Sequence, residues 1–269
     1  MKNSLMLPPK VAVIIPVYNV ENFLARCLDS CIEQTLYDIE IICVDDGSTD
    51  RSAQILDEYA SKDPRIRVIN KKNAGVSAAR NDGILASSAS WIMFADSDDY
   101  LDPRACEAVW AESLSNPSEI IVHGGYLIPD YPKPESWKHW AVITRKIYYR
   151  QFTFPVILER GGNPFLWLQA YSRELLERTG VRFREEISFG EDLIFQFECF
   201  PFAKGVSFIT DRVYYYRWYR EGSLMKAATE DLDARTARHI ANLDIIAAYW
   251  QEHKLLDRFG KEFLAWALG

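Results

Sequence analysis

Val11-Ala12-Val13-Ile14-Ile15, directly ahead of Pro16, is an uninterrupted apolar run near the start of this chain. Most of its residues are β-branched, which is typical of a strand that is buried on both faces. Such a strand belongs to a parallel sheet that helices cover on each side. The next segment agrees with this prediction, because its apolar residues recur at helical spacing. They are Phe23, Leu24, Cys27, Leu28, Cys31 and Ile32.

The same alternation continues through the first part of the chain. Apolar runs at 39–44, 66–69 and 91–95 predict three more strands, with helical segments between them. Strands that alternate with helices predict an α/β fold with a parallel sheet. Ligands of open sheets of this kind bind outside the carboxyl ends of the strands. Three predicted loops leave those ends: Pro16-Val17-Tyr18-Asn19, Asp45-Asp46-Gly47-Ser48 and Asp96-Ser97-Asp98-Asp99.

Composition narrows the functional classes. The net charge of -7 opposes broad nucleic-acid binding, which needs a basic surface. The five cysteines lack a metal-type Cys-x-x-Cys spacing and lie in apolar periodic segments, so we expect buried free thiols in a reducing compartment. The apolar N-terminal stretch is interrupted by Pro8-Pro9-Lys10, which argues against a signal sequence or a membrane span. We therefore expect a cytoplasmic protein.

The loops themselves point to a nucleotide site of an unusual kind. No Gly-x-Gly-x-x-Gly follows the first strand and no Gly-Lys-Ser/Thr loop is present, which disfavours dinucleotide enzymes and P-loop NTPases. Clustered carboxylates repel a diphosphate unless a divalent cation lies between them. Oxygen ligands such as Asp98 suit Mg²⁺ or Mn²⁺. Taken alone, the acidic run 96–99 could equally be an Asx-turn or a helix cap ahead of Pro103.

Four ordered motifs within 11–103 give a specific resemblance. Together they closely resemble the inverting glycosyltransferase family 2, and four motifs in order are far more specific than any one of them. The resemblance implies the GT-A fold, a Rossmann-like, mostly parallel sheet with flanking helices. The motifs are Ile15-Pro16-Val17-Tyr18-Asn19, Val44-Asp45-Asp46-Gly47-Ser48-Thr49-Asp50, Asn73-Ala74-Gly75-Val76-Ser77-Ala78-Ala79-Arg80-Asn81 and Asp96-Ser97-Asp98-Asp99.

The resemblance also implies roles for individual residues. Asp96 would contact ribose and metal, and Asp98 would be the principal ligand of Mn²⁺ or Mg²⁺. Tyr18 could instead be a core residue. The residues that resemble the family's nucleoside-binding positions are Pro16, Tyr18, Asp45 or Asp46, and Arg80.

A second acidic motif lies in the later half of the chain, at Glu191 and Asp192. The apolar spacing after it predicts a helix, so both carboxylates fall at a helix N-terminus, where the helix dipole favours them and capping is an alternative role. The segment resembles the acidic pair of the family's acceptor region, in which a carboxylate is the general base. Asp192 is the first candidate for that base, and Glu191 is the second.

Positive groups for the leaving diphosphate are sought in the aromatic segment 213–223. In similar family members, an arginine and a serine of this region cover the donor phosphates. Arg217, Arg220 and Ser223 are the candidates here. A plain aromatic strand with exposed arginines is the alternative.

Domain organisation follows from the same patterns. We expect a catalytic domain at 1–225, with a nucleotide-sugar-binding half at 1–103 and an acceptor-binding half at 104–225. A C-terminal helical extension at 226–269 could pack on that domain, form a homodimer or rest on the inner membrane face. Basic and aromatic residues at 133–150 would also suit a lipid headgroup surface, or a solvated loop and strand.

The function expected from the resemblance is metal-dependent, inverting transfer of a sugar from a nucleotide sugar, with UDP preferred. The acceptor would be a hydroxyl of a glycan or lipid-linked glycan, as in bacterial polysaccharide or lipopolysaccharide synthesis. A nucleotidyltransferase would be expected to have a Gly-rich, basic loop after strand one, which Pro16-Val17-Tyr18-Asn19 is not. A non-catalytic sugar-nucleotide-binding scaffold would not need to keep both Glu191 and Asp192.

Overall fold

A computed structural model of the chain describes residues 8–128, 143, 145–158, 165–217 and 232–268. The strands are β1 Val11–Val17, β2 Ile39–Asp45, β3 Ile66–Asn70, β4 Trp91–Phe94, β5 Tyr100–Leu101, β6 Ile120–Ile128, β7 Ile147–Tyr149, β8 Gln169–Ser172 and β9 Val206–Arg217. The helices are α1 Leu24–Ile32, α2 Ser52–Ala60, α3 Val76–Ala86, α4 Ala105–Ser115, α5 Pro155–Leu158, α6 Arg173–Thr179, α7 Glu191–Cys199, α8 Leu232–Glu252 and α9 Leu255–Ala267. Short 3₁₀ turns lie at Leu166–Leu168 and Phe200–Phe202.

These strands form one mixed sheet in the order β3-β2-β1-β4-β8-β6-β9-β5, with β7 paired to β9. The pairs among β1, β2, β3 and β4 are all parallel, which confirms the α/β sheet predicted from the alternation of strands and helices. The later half of the chain extends that sheet with antiparallel partners, since β8 runs against both β4 and β6. The carboxyl ends of β1, β2 and β4 consequently share one edge.

The first strand lies at the centre of the core. Val11 to Ile15 are fully buried, as the unbroken apolar run predicts. Helix α3 packs closely on this strand, because a Cβ on Gly83 would lie 2.3 Å from Cγ2 of Ile14. The five cysteines are buried free thiols, which also confirms the prediction. Because Gly83 has no side chain, α3 and its side chains can lie this close to the sheet.

The C-terminal helices pack on the rest of the chain. Trp250 of α8 is fully buried, and its indole Nε1 donates a hydrogen bond of 2.9 Å to the carbonyl of Phe197. Asn242 Nδ2 donates to the carbonyl of Phe189, also at 2.9 Å. Helix α8 thus braces α7 and the segment before it, while the boundary at 225/226 stays a prediction. Within the described parts of the chain, no helix is both long enough and apolar enough to cross a membrane.

Gly83→Ala should destabilise the fold by about 1–3 kcal/mol, because the added methyl group overlaps the fully buried Ile14. Gly260→Ala is the matched control. Its Cβ would come no nearer than 3.8 Å to Leu256 within α9, so we expect it to be stabilising by roughly 0.5–1 kcal/mol. Urea denaturation of both variants measures the difference. Equal effects of the two substitutions would contradict the close approach of α3 to β1.

Candidate active site

The three predicted loops meet at the carboxyl edge of the parallel strands. The N–H of Asp46 donates 2.9 Å to the carbonyl of Val17, which joins the ends of β1 and β2. The N–H of Ala95 donates 3.0 Å to the carbonyl of Ile14, which joins β4 to β1. The loops that bear Tyr18, the Asp45–Asp46 pair and the acidic run 96–99 are therefore neighbours, as the sheet order requires.

The two carboxylates after β2 are both buried, but they differ in their partners. Asp45 Oδ1 accepts a hydrogen bond from the N–H of Ser48 at 3.0 Å. Asp46 accepts with both oxygens, from the N–H groups of Ala74 at 2.9 Å and Gly75 at 2.8 Å. Asp46 thus fixes the loop that leads into α3. Both groups shape this edge of the sheet through the main chain.

The nucleoside candidates of β1 lie at the surface of this edge. Tyr18 is 49% exposed, so it is not a core residue. Pro16 is half-buried within β1 and pairs in register with Val44 of β2. Tyr18 therefore lies at the surface, whereas Pro16 is only partly accessible.

Arg80 of α3 joins the acidic run to the second acidic motif. Its side chain is 5% exposed, and its Nη1 donates to Glu191 Oε1 and to Asp192 Oδ1, each at 2.9 Å. Its Nη2 donates to Asp96 Oδ1 at 3.2 Å. The guanidinium also lies over the ring of Phe183, 5.3 Å from the centroid. Residues far apart in the sequence are thereby collected around one buried cation.

This grouping holds more negative charge than positive charge. Although burial opposes the charge of Arg80, the carboxylates of Asp192, Asp96 and Glu191 raise its pKa. Asp192 is 22% exposed at the site, yet burial is the largest cause of its pKa rising to about 7. Arg80 lowers that pKa, whereas Glu191 and Asp96 raise it. A carboxylate with a pKa near neutrality is suited to exchange a proton with a hydroxyl group.

Within the acidic run, Asp99 faces the interior. It is 1% exposed, Tyr214 donates its hydroxyl to Asp99 Oδ2 at 2.9 Å, and the N–H of Arg217 donates to Asp99 Oδ1 at 2.6 Å. Arg217 Nε also donates to the carbonyl of Asp98 at 3.1 Å. The end of β9 therefore lies against the acidic run. Burial, together with the charges of Asp98 and Asp96, raises the pKa of Asp99.

The residues present fit a cation that is bound partly by its substrate. Within the described parts of the chain, no group of three or more carboxylate, imidazole or thiol side chains is arranged so that it could hold a metal ion by itself. The Asp96 side chain is 33% exposed at the site, and Asp98 is two residues away on the same loop. One or two carboxylates, with phosphate oxygens and water, are the usual environment of protein-bound Mg²⁺. The acidic run suits that role and would be a poor site for a permanently held ion.

Most of the predicted site residues that the structure describes thus lie close together. Asp96, Glu191 and Asp192 converge on Arg80, and Arg217 contacts the acidic run. Arg220 and Ser223 lie outside the described residues. Tyr214 was not predicted as a site residue, although it belongs to the aromatic segment, because the sequence does not indicate which face of β9 turns toward Asp99. His123 is fully buried on β6.

The basic and aromatic segment 133–150 is described only in part. Lys146, within it, forms an ion pair with the buried carboxylate of Glu112. Tyr149 packs edge-on against Phe208 of the neighbouring strand, with ring centroids 5.9 Å apart. Lys133, Lys138 and His139 lie outside the described residues. The described contacts of the segment are thus made within this chain.

Comparisons with known proteins give relatives of this chain. The family model for Glycosyl transferase family 2 matches residues 12–180. The chain is 38% identical over 216 residues to the uncharacterized glycosyltransferase EpsJ of Bacillus subtilis strain 168, an alignment that covers 78% of this chain and 61% of EpsJ. It is 31% identical over 259 residues to the putative glycosyltransferase EpsH of the same organism, covering 96% of this chain and 74% of EpsH. The chain is thus shorter than both relatives.

A solved structure shares the fold. The S. aureus TarS fragment 1-349 in complex with UDP-GlcNAc superimposes with a TM-score of 0.69 at 23% identity, over 91% of this chain and 72% of that fragment. At that identity the likeness concerns the fold. It confirms the predicted α/β GT-A architecture, with its parallel strands and flanking helices.

Replacing the buried cation should show how much the site depends on it. Arg80→Met leaves three carboxylates without their shared partner, and we expect a loss of about 3–5 kcal/mol at pH 8. Without Arg80 the folded-state pKa of Asp192 rises further, so the native state takes up protons and regains stability as pH falls. The loss should therefore shrink between pH 8 and pH 5. Urea denaturation at both pH values measures it.

Arg65→Met is the matched control for that experiment. Arg65 is also mostly buried, but it pairs with one carboxylate, Asp63, at 2.7 Å. The hydrogen bond from Arg65 lowers the pKa of Asp63, so the pair stays ionised across this pH range. Its loss should be the same at pH 5 and pH 8. If the loss of stability in Arg80→Met were also the same at the two pH values, the inferred excess of negative charge around Arg80 would be wrong.

Proposed function

The chain belongs to glycosyl transferase family 2, and we propose that it transfers a sugar from a nucleotide sugar to an acceptor hydroxyl in a metal-dependent, inverting reaction. The observation on which this proposal rests is the joining of Asp96, Glu191 and Asp192 around Arg80. A donor-side carboxylate and an acceptor-side carboxylate then lie in one site, as a direct displacement requires. A non-catalytic binding protein would have no need of Asp192 there.

We propose a UDP-sugar as the donor. The fold shared with TarS, which was solved with UDP-GlcNAc, supports this class of donor. The exposed ring of Tyr18 and the edge at Pro16 would receive the nucleoside, with Asp45 beneath them accepting from base or ribose. Asp46 would keep the loop before α3 in shape, since both of its oxygens accept from main-chain N–H groups.

The leaving diphosphate would lie at the acidic run. Asp98 and Asp96 would hold Mn²⁺ or Mg²⁺ there, and a bound cation of this kind neutralises charge on the departing phosphate oxygens. Arg217 would add positive charge, because its guanidinium lies against the carbonyl of Asp98. Arg220 and Ser223, which follow it in the sequence, are proposed for the same end of the donor.

We propose Asp192 as the general base, with Glu191 as the second candidate. The acceptor hydroxyl gives its proton to the Asp192 carboxylate while its oxygen attacks the anomeric carbon. The bond from that carbon to the diphosphate breaks on the opposite face, so the configuration inverts. Arg80 would keep Asp192 ionised and directed toward the donor, since it donates to both Asp192 and Asp96.

The acceptor is proposed to be a glycan or lipid-linked glycan of bacterial polysaccharide or lipopolysaccharide type. The relationship to EpsJ and EpsH supports a glycosyltransferase, while the class of acceptor is inferred from the family resemblance alone. Contact with the inner membrane face and dimerisation through α8 and α9 remain predictions. The described contacts of Trp250 and Asn242 are made within this chain.

Asp98→Ala should remove most of the metal-dependent binding of UDP. Losing a direct ligand should cost on the order of 100-fold or more in apparent affinity, because even loss of a residue behind a ligand typically costs about 10–100-fold. Calorimetric titration of UDP with Mn²⁺ present measures it. Asp57→Ala, an exposed change on α2, is the control and should bind as the parent does. Unchanged UDP affinity in Asp98→Ala would rule out the metal assignment.

Asp192→Asn should stop sugar transfer while leaving UDP binding intact, because the amide keeps the shape of the carboxylate but cannot accept the proton. We expect a loss on the order of 100-fold to 10,000-fold in the transfer rate. Glu191→Gln is the matched control and should retain most of the rate. The measurement is product formation from a panel of UDP-sugars. Survival of transfer in Asp192→Asn would assign the base to Glu191 or to another group.

The pH dependence of the parent protein tests the same assignment. The pKa of Asp192 is raised to about 7, so the base is protonated and inactive below that pH. The value of kcat/KM, which reports the donor-free protein, should therefore rise through pH 7 and level off above it.

The anomeric configuration of the product, read by NMR, should be opposite to that of the donor. A product with the donor's configuration would exclude the single displacement.

A further inference from the structure

Tyr214 makes a contact that ties the acidic run to the end of β9. Its ring is fully buried. Its hydroxyl accepts from the N–H of Asp96 at 3.0 Å and donates to Asp99 Oδ2 at 2.9 Å. An amide N–H can only donate, so the Tyr214 oxygen is the acceptor for Asp96, and the hydroxyl proton is directed toward Asp99. The hydroxyl therefore links a main-chain group of the run to one of its side chains.

The partners of Asp99 separate it from the other carboxylates of the run. Both of its oxygens accept from groups of β9, the hydroxyl of Tyr214 and the N–H of Arg217 at 2.6 Å. At 1% exposure, Asp99 presents almost nothing to solvent, whereas the side chain of Asp96 is 33% exposed. A metal ligand that shares its ion with a diphosphate has to reach the open side of the site. Asp99 points away from it.

The ring of Tyr214 and the main chain of Asp96 are each held by further contacts. The ring of Trp167 stacks on Tyr214, with centroids 4.8 Å apart and planes 25° from parallel. Gly125 leaves room for that ring, since a Cβ there would lie 2.9 Å from Cζ3 of Trp167. On the other side of the Asp96 main chain, the thiol of Cys27 donates to the Asp96 carbonyl at 3.7 Å. The hydroxyl of Tyr214 thus has little freedom to leave its partners.

We propose that Tyr214 and Asp99 are positioning residues, which hold the metal-binding side chain of Asp96 and the cation of Arg217 in one fixed relation, and that Asp99 is not a metal ligand. The proposal rests on the proposed function, because it takes Asp96 as a ligand. Its consequence is that the metal side and the arginine side of the leaving diphosphate are aligned before the donor binds. Both oxygens of Asp99 are held by groups of β9, which fixes the carboxyl group from two sides.

A double-mutant cycle tests this inference. Tyr214→Phe removes one hydroxyl oxygen. Asp99→Asn keeps the size of the side chain but leaves a single acceptor oxygen, which cannot occupy both positions at which Asp99 accepts, from the Tyr214 hydroxyl and from the Arg217 N–H. We expect each to raise the Mn²⁺ concentration for half-maximal UDP binding about tenfold, since each breaks the same link. The double variant should be no worse than the more affected single variant, because the effects of two substitutions that break the same contact do not add. UDP binding is measured by calorimetry over a range of Mn²⁺ concentrations.

Tyr59→Phe is the matched control. Tyr59 also donates its hydroxyl to a carboxylate, Asp29 Oδ1 at 2.8 Å, but on the surface between α1 and α2. It should leave the Mn²⁺ requirement unchanged. Independent, additive effects of Tyr214→Phe and Asp99→Asn would overturn the proposal. So would an Asp99→Asn defect as large as that of Asp98→Ala, because Asp99 would then behave as a ligand.

Hydrogen exchange separates this inference from the proposed metal site. In metal-free protein the N–H of Asp96 should exchange at least about tenfold faster in Tyr214→Phe than in the parent, since its acceptor is lost, while Tyr59→Phe should leave that rate unchanged. Unchanged exchange at Asp96 in Tyr214→Phe would overturn the positioning role whatever the metal does. Suppose instead that exchange at Asp96 is faster in Tyr214→Phe but UDP binding does not depend on metal. The hydrogen bond between Tyr214 and Asp96 would then be supported, and the proposed metal site would be refuted.

Discussion

The buried guanidinium of Arg80 is the group on which the rest of the site depends. A cation that is 5% exposed is costly to place in a protein interior unless its donors are paired. Here the pairing groups come from the loop after β4 and from the start of α7. The cost of burying the charge is therefore offset only when both halves of the chain are in place. The same contact joins the proposed donor side of the site to the proposed acceptor side.

The position of Arg80 follows in turn from how α3 is attached. Asp46 accepts from the N–H groups of Ala74 and Gly75, which fixes the point at which α3 begins. Gly83 then allows the helix to approach β1 closely. Two features of ordinary appearance, an aspartate that closes a loop and a glycine in a helix, thus determine where the guanidinium lies. Asp46 contributes to the site through the backbone that it holds.

The sheet could be predicted from sequence, but many of the side-chain contacts within the site could not. Unbroken apolar runs and helical spacing indicate β1 to β4 and their loops, because burial on both faces leaves a periodic signal. The contact of Arg80 with Asp192 leaves no such signal, since it depends on how distant segments pack. Tyr214 is similar, because its role depends on which face of β9 turns toward Asp99. The antiparallel addition of β8 also arises from long-range pairing.

The balance of charge explains why such a site would suit a donor that brings its own cation. Asp96, Glu191 and Asp192 face one guanidinium, so the group has more carboxylates than cations. Burial raises the pKa of Asp192, and the neighbouring carboxylates of Glu191 and Asp96 raise it further. A bare diphosphate would add to that repulsion, whereas a diphosphate with a divalent cation would relieve it. Relief at Asp96 would leave Arg80 more fully engaged with Asp192, and this would favour the ionised form of the proposed base. Binding of the donor and readiness of the base would then be coupled through a single side chain.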